Sequence, residues 1–195
     1  MVTESHDPDG VESIARRFDS SQFRHTVGRF ASGVTVLTAL HDGRIHGMTA
    51  NAIVSVSLEP PLVLISLDNR SHKHRSLPQA GRFGISVLSE GQEQLSNHFA
   101  GRPLEGVPIH IVTRNEIPLL DGALAYFVVR VMDVHPTGDH TLYVALVEFL
   151  EPREAKPSIF YAGRYRQLRE NMTSSPWAQD DHSLFLIGCI DPPST

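Results

Sequence analysis

The sequence predicts an all-β dominated domain, an antiparallel Greek-key β-barrel with peripheral short helices. Three observations carry this. Six or seven segments read as strands at short spacing, several with period-two alternation of apolar and polar residues. The helical patterns are isolated, whereas a doubly wound parallel sheet needs them in regular alternation with the strands. No G-x-G-x-x-G, P-loop or G-x-S-x-G occurs, so the nucleotide and nucleophile motifs of the common α/β folds are missing.

Composition bounds the function. The chain has 195 residues, enough for one domain with a sizeable core. It carries 17 Lys and Arg against 22 Asp and Glu, a net charge of -5 without a basic cluster, which argues against nucleic acid as a partner. A single cysteine, Cys189, excludes an internal disulfide framework and fits a reducing cytoplasm. The opening "MVTESHDPDG" is polar and unlike a signal peptide. No apolar run approaches the roughly 20 residues that span a bilayer, so no membrane is expected as a partner.

Residues 1–15 read as a disordered tail and 16–170 as the domain. Within the domain, "SSQFRHTVGRFA" is a helix capped by Ser20 or Ser21, with Phe23, Val27 and Phe30 at i, i+4 and i+7. "GVTVLTAL" alternates Val34, Val36, Thr38 and Leu40 against Thr35, Leu37 and Ala39, and "HDGR" turns it into a second strand. "LVLISL", after "EPP", reads as a strand buried on both sides, and "SHKHRSL" as a short helix capped by Ser71. "RFGISVLS" is a strand with Phe83, Ile85 and Val87 facing one way. In "SEGQEQLSNHFAG", Ser89 and Gln92 predict a capping box, Leu95 and Phe99 share a face, and Gly101 ends the helix. Residues 102–122 read as loop-rich. Two long strands, "ALAYFVVRVMDV" and "TLYVALVEFL", are joined by "HPTGDH", and "PSIFYAG" is the final strand. Residues 171–195, with Trp177 and "LFLIGCI", read as an extension that packs on the barrel or on a second subunit.

Four stretches admit both a structural and a functional reading. "HGMTAN" puts small and polar residues directly before the most apolar strand: either a bulge or edge, or a place where a flat ligand lies against backbone. "RSHKH" is either a capped surface helix or an anion site at a helix N-terminus. "GDH" (138–140) is either plain turn chemistry or a placed histidine. "FYAGRY" (160–165) either closes the barrel or offers aromatics and an arginine to a planar, phosphate-bearing ligand. His72 and His74 have no carboxylate or cysteine at ligand spacing, so no metal is expected.

Taken together, "FRHTVGRFASGVTVLTA", "HGMTANAIVSVSLEPPLVLIS", "GRFGISVLSEGQEQLSNHFAG", "GDHTLYVALVE" and "FYAGRY" resemble the flavin reductase-like family of the FMN-binding split barrel. The resemblance is nearest to the small reductase components of two-component flavin-dependent monooxygenases and runs from about Phe23 to Tyr165. It implies a homodimer that binds FAD or FMN, takes a hydride from NADH or NADPH, and releases reduced flavin to a separate monooxygenase acting on an aromatic, steroid or natural-product substrate. The flavin contacts it implies match Ile45, His46, Gly47, Met48, Thr49, Asn51 and Ala52, then Ser66, Leu67 and Asp68, then His72 and Lys73 by the phosphates, then His98 and Phe99. Nicotinamide-nucleotide contacts match His140, Phe160, Tyr161, Ala162 and Gly163, with Arg164 and Tyr165 adjacent; His140 is the candidate for positioning the nicotinamide. A released flavin implies affinity on the order of micromolar, about 8 kcal/mol. This chain departs from the family pattern at Ala52, where a serine is usual, at His74 and at Ala145. The competing readings are a non-catalytic flavin carrier or sensor and a split-barrel oxidase.

Overall fold

The computed structural model describes residues 17–71, 80–103 and 105–168. Within them are two helices, α1 (Ser20–Val27) and α2 (Glu93–Phe99). The strands are β1 (Ser32–Gly33), β2 (Thr35–His41), β3 (Arg44–Ala50), β4 (Ile53–Leu58), β5 (Pro61–Asp68), β6 (Arg82–Val87), β7 (Ile111–Arg114), β8 (Ile117–Leu120), β9 (Ala125–Thr137), β10 (His140–Pro152), β11 (Ile159–Tyr161) and β12 (Arg164–Arg166).

Seven strands form one antiparallel sheet in the order β3-β2-β6-β9-β10-β5-β4. The neighbours β2–β6, β6–β9 and β10–β5 are not consecutive in the chain, which makes the connectivity Greek-key instead of up-and-down. The sheet is coiled on itself. Met48 and Ala50 of β3, at one end of the order, share a core with Val63, Ile65 and Leu67 of β5, at the other. Leu37, Phe83, Ile85, Val129 and Tyr143 fill the space between them. The split lies between β3 and β4. There the chain runs directly from one edge to the other through Asn51 and Ala52, and the Ser66 N–H donates to the Ala52 carbonyl at 3.1 Å.

The alternation in "GVTVLTAL" is correct, but both of its faces are buried. Leu37 and Ala39 enter the barrel core, while Val36 and Thr38 lie under a second layer. That layer is the β7–β8 hairpin, formed by residues the sequence marks only as loop. Its signal is short, two four-residue strands turning at Asn115 and Glu116, which both take positive φ. The hairpin covers the outer face of β2 and β6: the Leu120 N–H donates to Ser86 Oγ at 2.9 Å, and the Thr38 hydroxyl donates to the Pro118 carbonyl.

Other expectations need correction. Asp19 caps α1, accepting from the Ser21 N–H at 3.2 Å, because a serine inside the first turn cannot serve its own helix as cap. α1 ends at Val27, short of Phe30, and none of its residues is buried; Phe23 is 64% and Phe30 81% exposed. β5 alternates, with Val63, Ile65 and Leu67 inside and Leu62, Leu64 and Ser66 half-buried. Only half of the predicted capping box forms. Gln92 Oε1 accepts from the Ser89 N–H at 3.0 Å, but the Ser89 hydroxyl donates to the Gly122 carbonyl at 2.8 Å. β11 is not final, since Ala162 and Gly163 turn the chain into β12. The "SHKHRSL" helix and the C-terminal extension fall outside the described residues.

Bulges set the outer surface. At Glu148 the β9–β10 register shifts, and the re-aimed carboxylate accepts from Arg82 Nε at 2.7 Å and Arg130 Nε at 2.9 Å, tying β6, β9 and β10 together. Gly84 marks the tightest contact of hairpin and barrel. A Cβ there would stand 2.6 Å from Leu119 Cδ2 and 2.8 Å from the Pro118 carbonyl oxygen. Gly84→Ala should therefore displace the β7–β8 hairpin and cost about 1–3 kcal/mol of stability, measurable by urea unfolding; unchanged stability would show that the hairpin is loosely held.

Candidate active site

β3 is an edge strand, and its odd-numbered residues face outward beneath α2. The even-numbered Met48 and Ala50 belong to the barrel core. Above the strand, α2 is fixed by two hydrogen bonds to one residue: the Thr49 hydroxyl donates to the Ser96 carbonyl at 2.6 Å, and the Tyr165 hydroxyl donates to Ser96 Oγ at 2.8 Å. The phenyl ring of Phe99 lies on Gly47, where a Cβ would be 2.6 Å from the ring. The glycine is thus required by the packing of α2 itself.

Where α2 crosses β3, a recess opens on each side. The first, about 300 Å³, is lined by Ile45, His46 and Gly47 of β3, His98 and Phe99 of α2, and Ile109 and Ile111. The second, about 340 Å³, brings Thr49, Ala50 and Asn51 together with Ser96, Asn97, Ala100 and Arg102. Val34 and the β11–β12 residues Phe160, Gly163 and Tyr165 complete it. Phe160 and Tyr165 meet edge to face at 5.4 Å. The hairpin turn that presents them has Ala162 at φ 50 and Gly163 at φ 75, and it is braced on the end of α1 by the Ala162 N–H donating to the Gly28 carbonyl at 2.8 Å.

A third group stands at the adjoining strand ends. His140 of β10 pairs in register with Asp68 of β5. Arg70 donates to Asp68 through Nε and, at 2.7 Å, through its terminal nitrogen, and these bonds hold the Asp68 carboxyl well below the usual carboxylate range. His140 Nδ1 lies 2.7 Å from Asp139 Oδ1, and that hydrogen bond lowers the Asp139 pKa. The Asn69 N–H donates to the Asp139 carbonyl at 3.0 Å and the Thr141 hydroxyl to Asn69 Oδ1 at 2.6 Å, locking the two strand ends together.

Most of the residues singled out in the sequence therefore gather along β3, α2, β11–β12 and the β5–β10 ends. Three do so only through their backbone. Leu67 and Met48 point into the barrel core, and Ser66 reaches the strip through its N–H to Ala52. His140 lines neither recess. His72 and Lys73 lie outside the described residues. Ser96, Asn97 and Arg102 were not singled out, although all three sit within or beside "SNHFAG"; a buried serine clamp leaves no periodic signature.

The sequence matches the family described as flavin reductase like domain over residues 27–169. This chain belongs to that family. It is 44% identical over 157 residues to an NADH-dependent flavin reductase of a Rhodococcus species, covering 79% of this chain and 89% of that one. It is likewise 44% identical over 147 residues to the reductase component of 4-hydroxyphenylacetate 3-monooxygenase of Thermus thermophilus, covering 75% and 95%. Among solved structures, the NADH:FAD oxidoreductase of Streptomyces globisporus C-1027, in complex with NAD and FAD fragments, superposes with a TM-score of 0.72 at 32% identity, covering 87% of this chain and 99% of that one.

The flavin reductase-like site fits a planar flavin on three structural grounds. As an edge strand, β3 has alternate backbone N–H and C=O groups that no neighbouring strand among the described residues takes. His98 Nδ1, in the wall of the first recess, is buried without a hydrogen-bond partner among the described residues. The two recesses are each of the size that small ligands occupy.

The Asp68–Arg70 pair makes a pH prediction. A depressed carboxyl pKa gives a contribution that is fully present above the unfolded value of about 3.9 and is lost as pH falls through the folded value. Asp68 should accordingly titrate with a midpoint below the usual carboxylate range in a carbon-detected NMR titration, and Arg70→Ala should return that midpoint to the usual range. An ordinary midpoint in the unsubstituted protein would refute the pairing.

Proposed function

We propose that this protein is an NAD(P)H:flavin oxidoreductase that reduces FAD or FMN and hands the reduced flavin to a separate monooxygenase component. The observation that carries the reading is the open edge of β3, small along its outer face and roofed by α2, with an aromatic hairpin closing the adjoining groove. The named roles of the relatives, an NADH-dependent flavin reductase and a monooxygenase reductase component, support it.

Flavin and dihydronicotinamide between them supply the hydride chemistry. The chain's task is to hold and orient them. In this reading the backbone of Ile45, His46, Gly47, Met48, Thr49, Asn51 and Ala52 presents donors to the polar edge of the flavin ring, where negative charge develops. Ser66, Leu67 and Asp68 extend that edge, His72 and Lys73 take the phosphate, and His98 and Phe99 wall the ring. Phe160, Tyr161, Ala162, Gly163, Arg164 and Tyr165 receive the nicotinamide nucleotide. His140, its Nδ1 held by Asp139, orients the nicotinamide.

The same reading makes the protein a cytoplasmic homodimer. Exposed Phe23 and Val27 of α1, flanked by Phe18 and Phe30, form an apolar face that a second copy would cover. Light scattering behind size exclusion should return twice the chain mass; a monomer at all concentrations would reject the dimer.

The deciding experiment follows NADH oxidation with FAD, FMN or riboflavin added in turn. Turnover should saturate with free flavin, and His140→Ala should raise the NADH KM or lower kcat, each by about tenfold. A protein that binds flavin and oxidises neither NADH nor NADPH would be a carrier, and the reductase reading would be lost.

A further inference from the structure

Among the described residues, the groove beside the end of β3 has one cation in its lining and no acid. That cation is Arg102, and its position is built in. Helix α2 ends in a Schellman closure: Gly101 takes φ 85, its N–H donates to the His98 carbonyl at 3.3 Å, and the Arg102 N–H donates to the Asn97 carbonyl at 3.0 Å. The residue in Arg102's place commonly packs an apolar side chain back on the last helical turn. Here it is an arginine, and it lines the groove with Asn97 and Asn51.

Arg102 is also unlike the arginines that staple the fold. Arg70, Arg82, Arg114, Arg130 and Arg153 each meet a carboxylate. Arg102 makes no ion pair among the described residues. An arginine without an ion-pair partner among the described residues, its backbone fixed at a groove with aromatic and amide walls, offers a bidentate fork to a phosphate. In a chain of net charge -5, such a local cation is what lets a polyanionic ligand settle.

We propose that Arg102 binds the pyrophosphate of the nicotinamide dinucleotide, and that this contact sets the affinity for the hydride donor. The proposal rests on the reductase reading and adds to it a residue outside the family-matched set. Phe160 and Tyr165 offer the same groove an aromatic surface, so a ring and a phosphate of one dinucleotide have partners side by side.

The test is calorimetric titration of NAD+, FMN and riboflavin into the wild type, Arg102→Ala and Arg102→Lys, with thermal midpoints confirming that each variant folds. Arg102→Ala should weaken NAD+ by about tenfold or more and flatten the salt dependence of binding, with Arg102→Lys intermediate because it keeps the charge and loses the fork. In turnover the loss should fall on the NADH KM, and it should shrink markedly with 1-benzyl-1,4-dihydronicotinamide, a donor without phosphate. Weakened FMN with unchanged riboflavin and NAD+ would assign the phosphate to the flavin and overturn the proposal. Unchanged binding of all three would overturn it too. The reductase reading fails by a different result, a wild type that oxidises no NADH, and the NAD+ titration still decides Arg102 in that case.

Discussion

The architecture of the site depends on one helix held across one edge strand, and Ser96 is the residue that holds it. Fully buried, it joins three elements far apart in the chain: Thr49 of β3 donates to its carbonyl, and Tyr165 of β12 donates to its hydroxyl. Each bond is worth only about 1 kcal/mol net, but leaving either buried group unpaired would cost more. The clamp brings α2 so near β3 that Phe99 rests on Gly47 and no side chain fits between them. Everything downstream follows from that crossing: two recesses instead of one, edge strand β3 lining both, and the aromatic hairpin drawn in by Tyr165.

The charged groups near the site are arranged around this opening. At the β5 and β10 ends Asp68 is ion-paired with Arg70, and Asp139 is hydrogen-bonded to His140. On the far side of the barrel, Glu148 takes two arginines and Glu151 takes Arg114. An acidic chain thereby keeps carboxylates out of the lining of both recesses. That distribution suits anionic ligands better than the net charge alone would indicate.

Much of the fold was legible because strand alternation and turn chemistry are local. "HDGR" folds as the predicted hairpin, with Asp42 and Gly43 both at positive φ, and the long strands of "ALAYFVVRVMDV" and "TLYVALVEFL" pair as expected. Failures arose where tertiary contacts decide. The β7–β8 hairpin owes its place to Gly84, Thr38 and Ser86, residues that look unremarkable in their own strands. The α1 stripe has an apolar period and is unburied among the described residues, since period reports an apolar face and not its occupant. Among site residues, the stretch "GMTAN" stood out by composition, whereas Ser96 and Arg102 did not, because a clamp and an unpaired cation are defined by what surrounds them.

The small strip before the most apolar strand has two causes, one for each part of it. At Gly47 the cause is internal: the ring of Phe99 takes the space, so the glycine is needed whether or not anything binds. At Ala50 and Asn51 no helix intrudes, and the strip borders the open groove. Ala50 turns its side chain into the barrel core and Asn51 is exposed, at the point where the strand pairing ends and the split begins. A hydride transfer between two cofactors asks the protein for little acid or base and a great deal of placement. A site meeting that demand is made of backbone, small residues and borrowed aromatic walls. Its signature is then the order of several weak motifs along the chain, with no single catalytic residue to find.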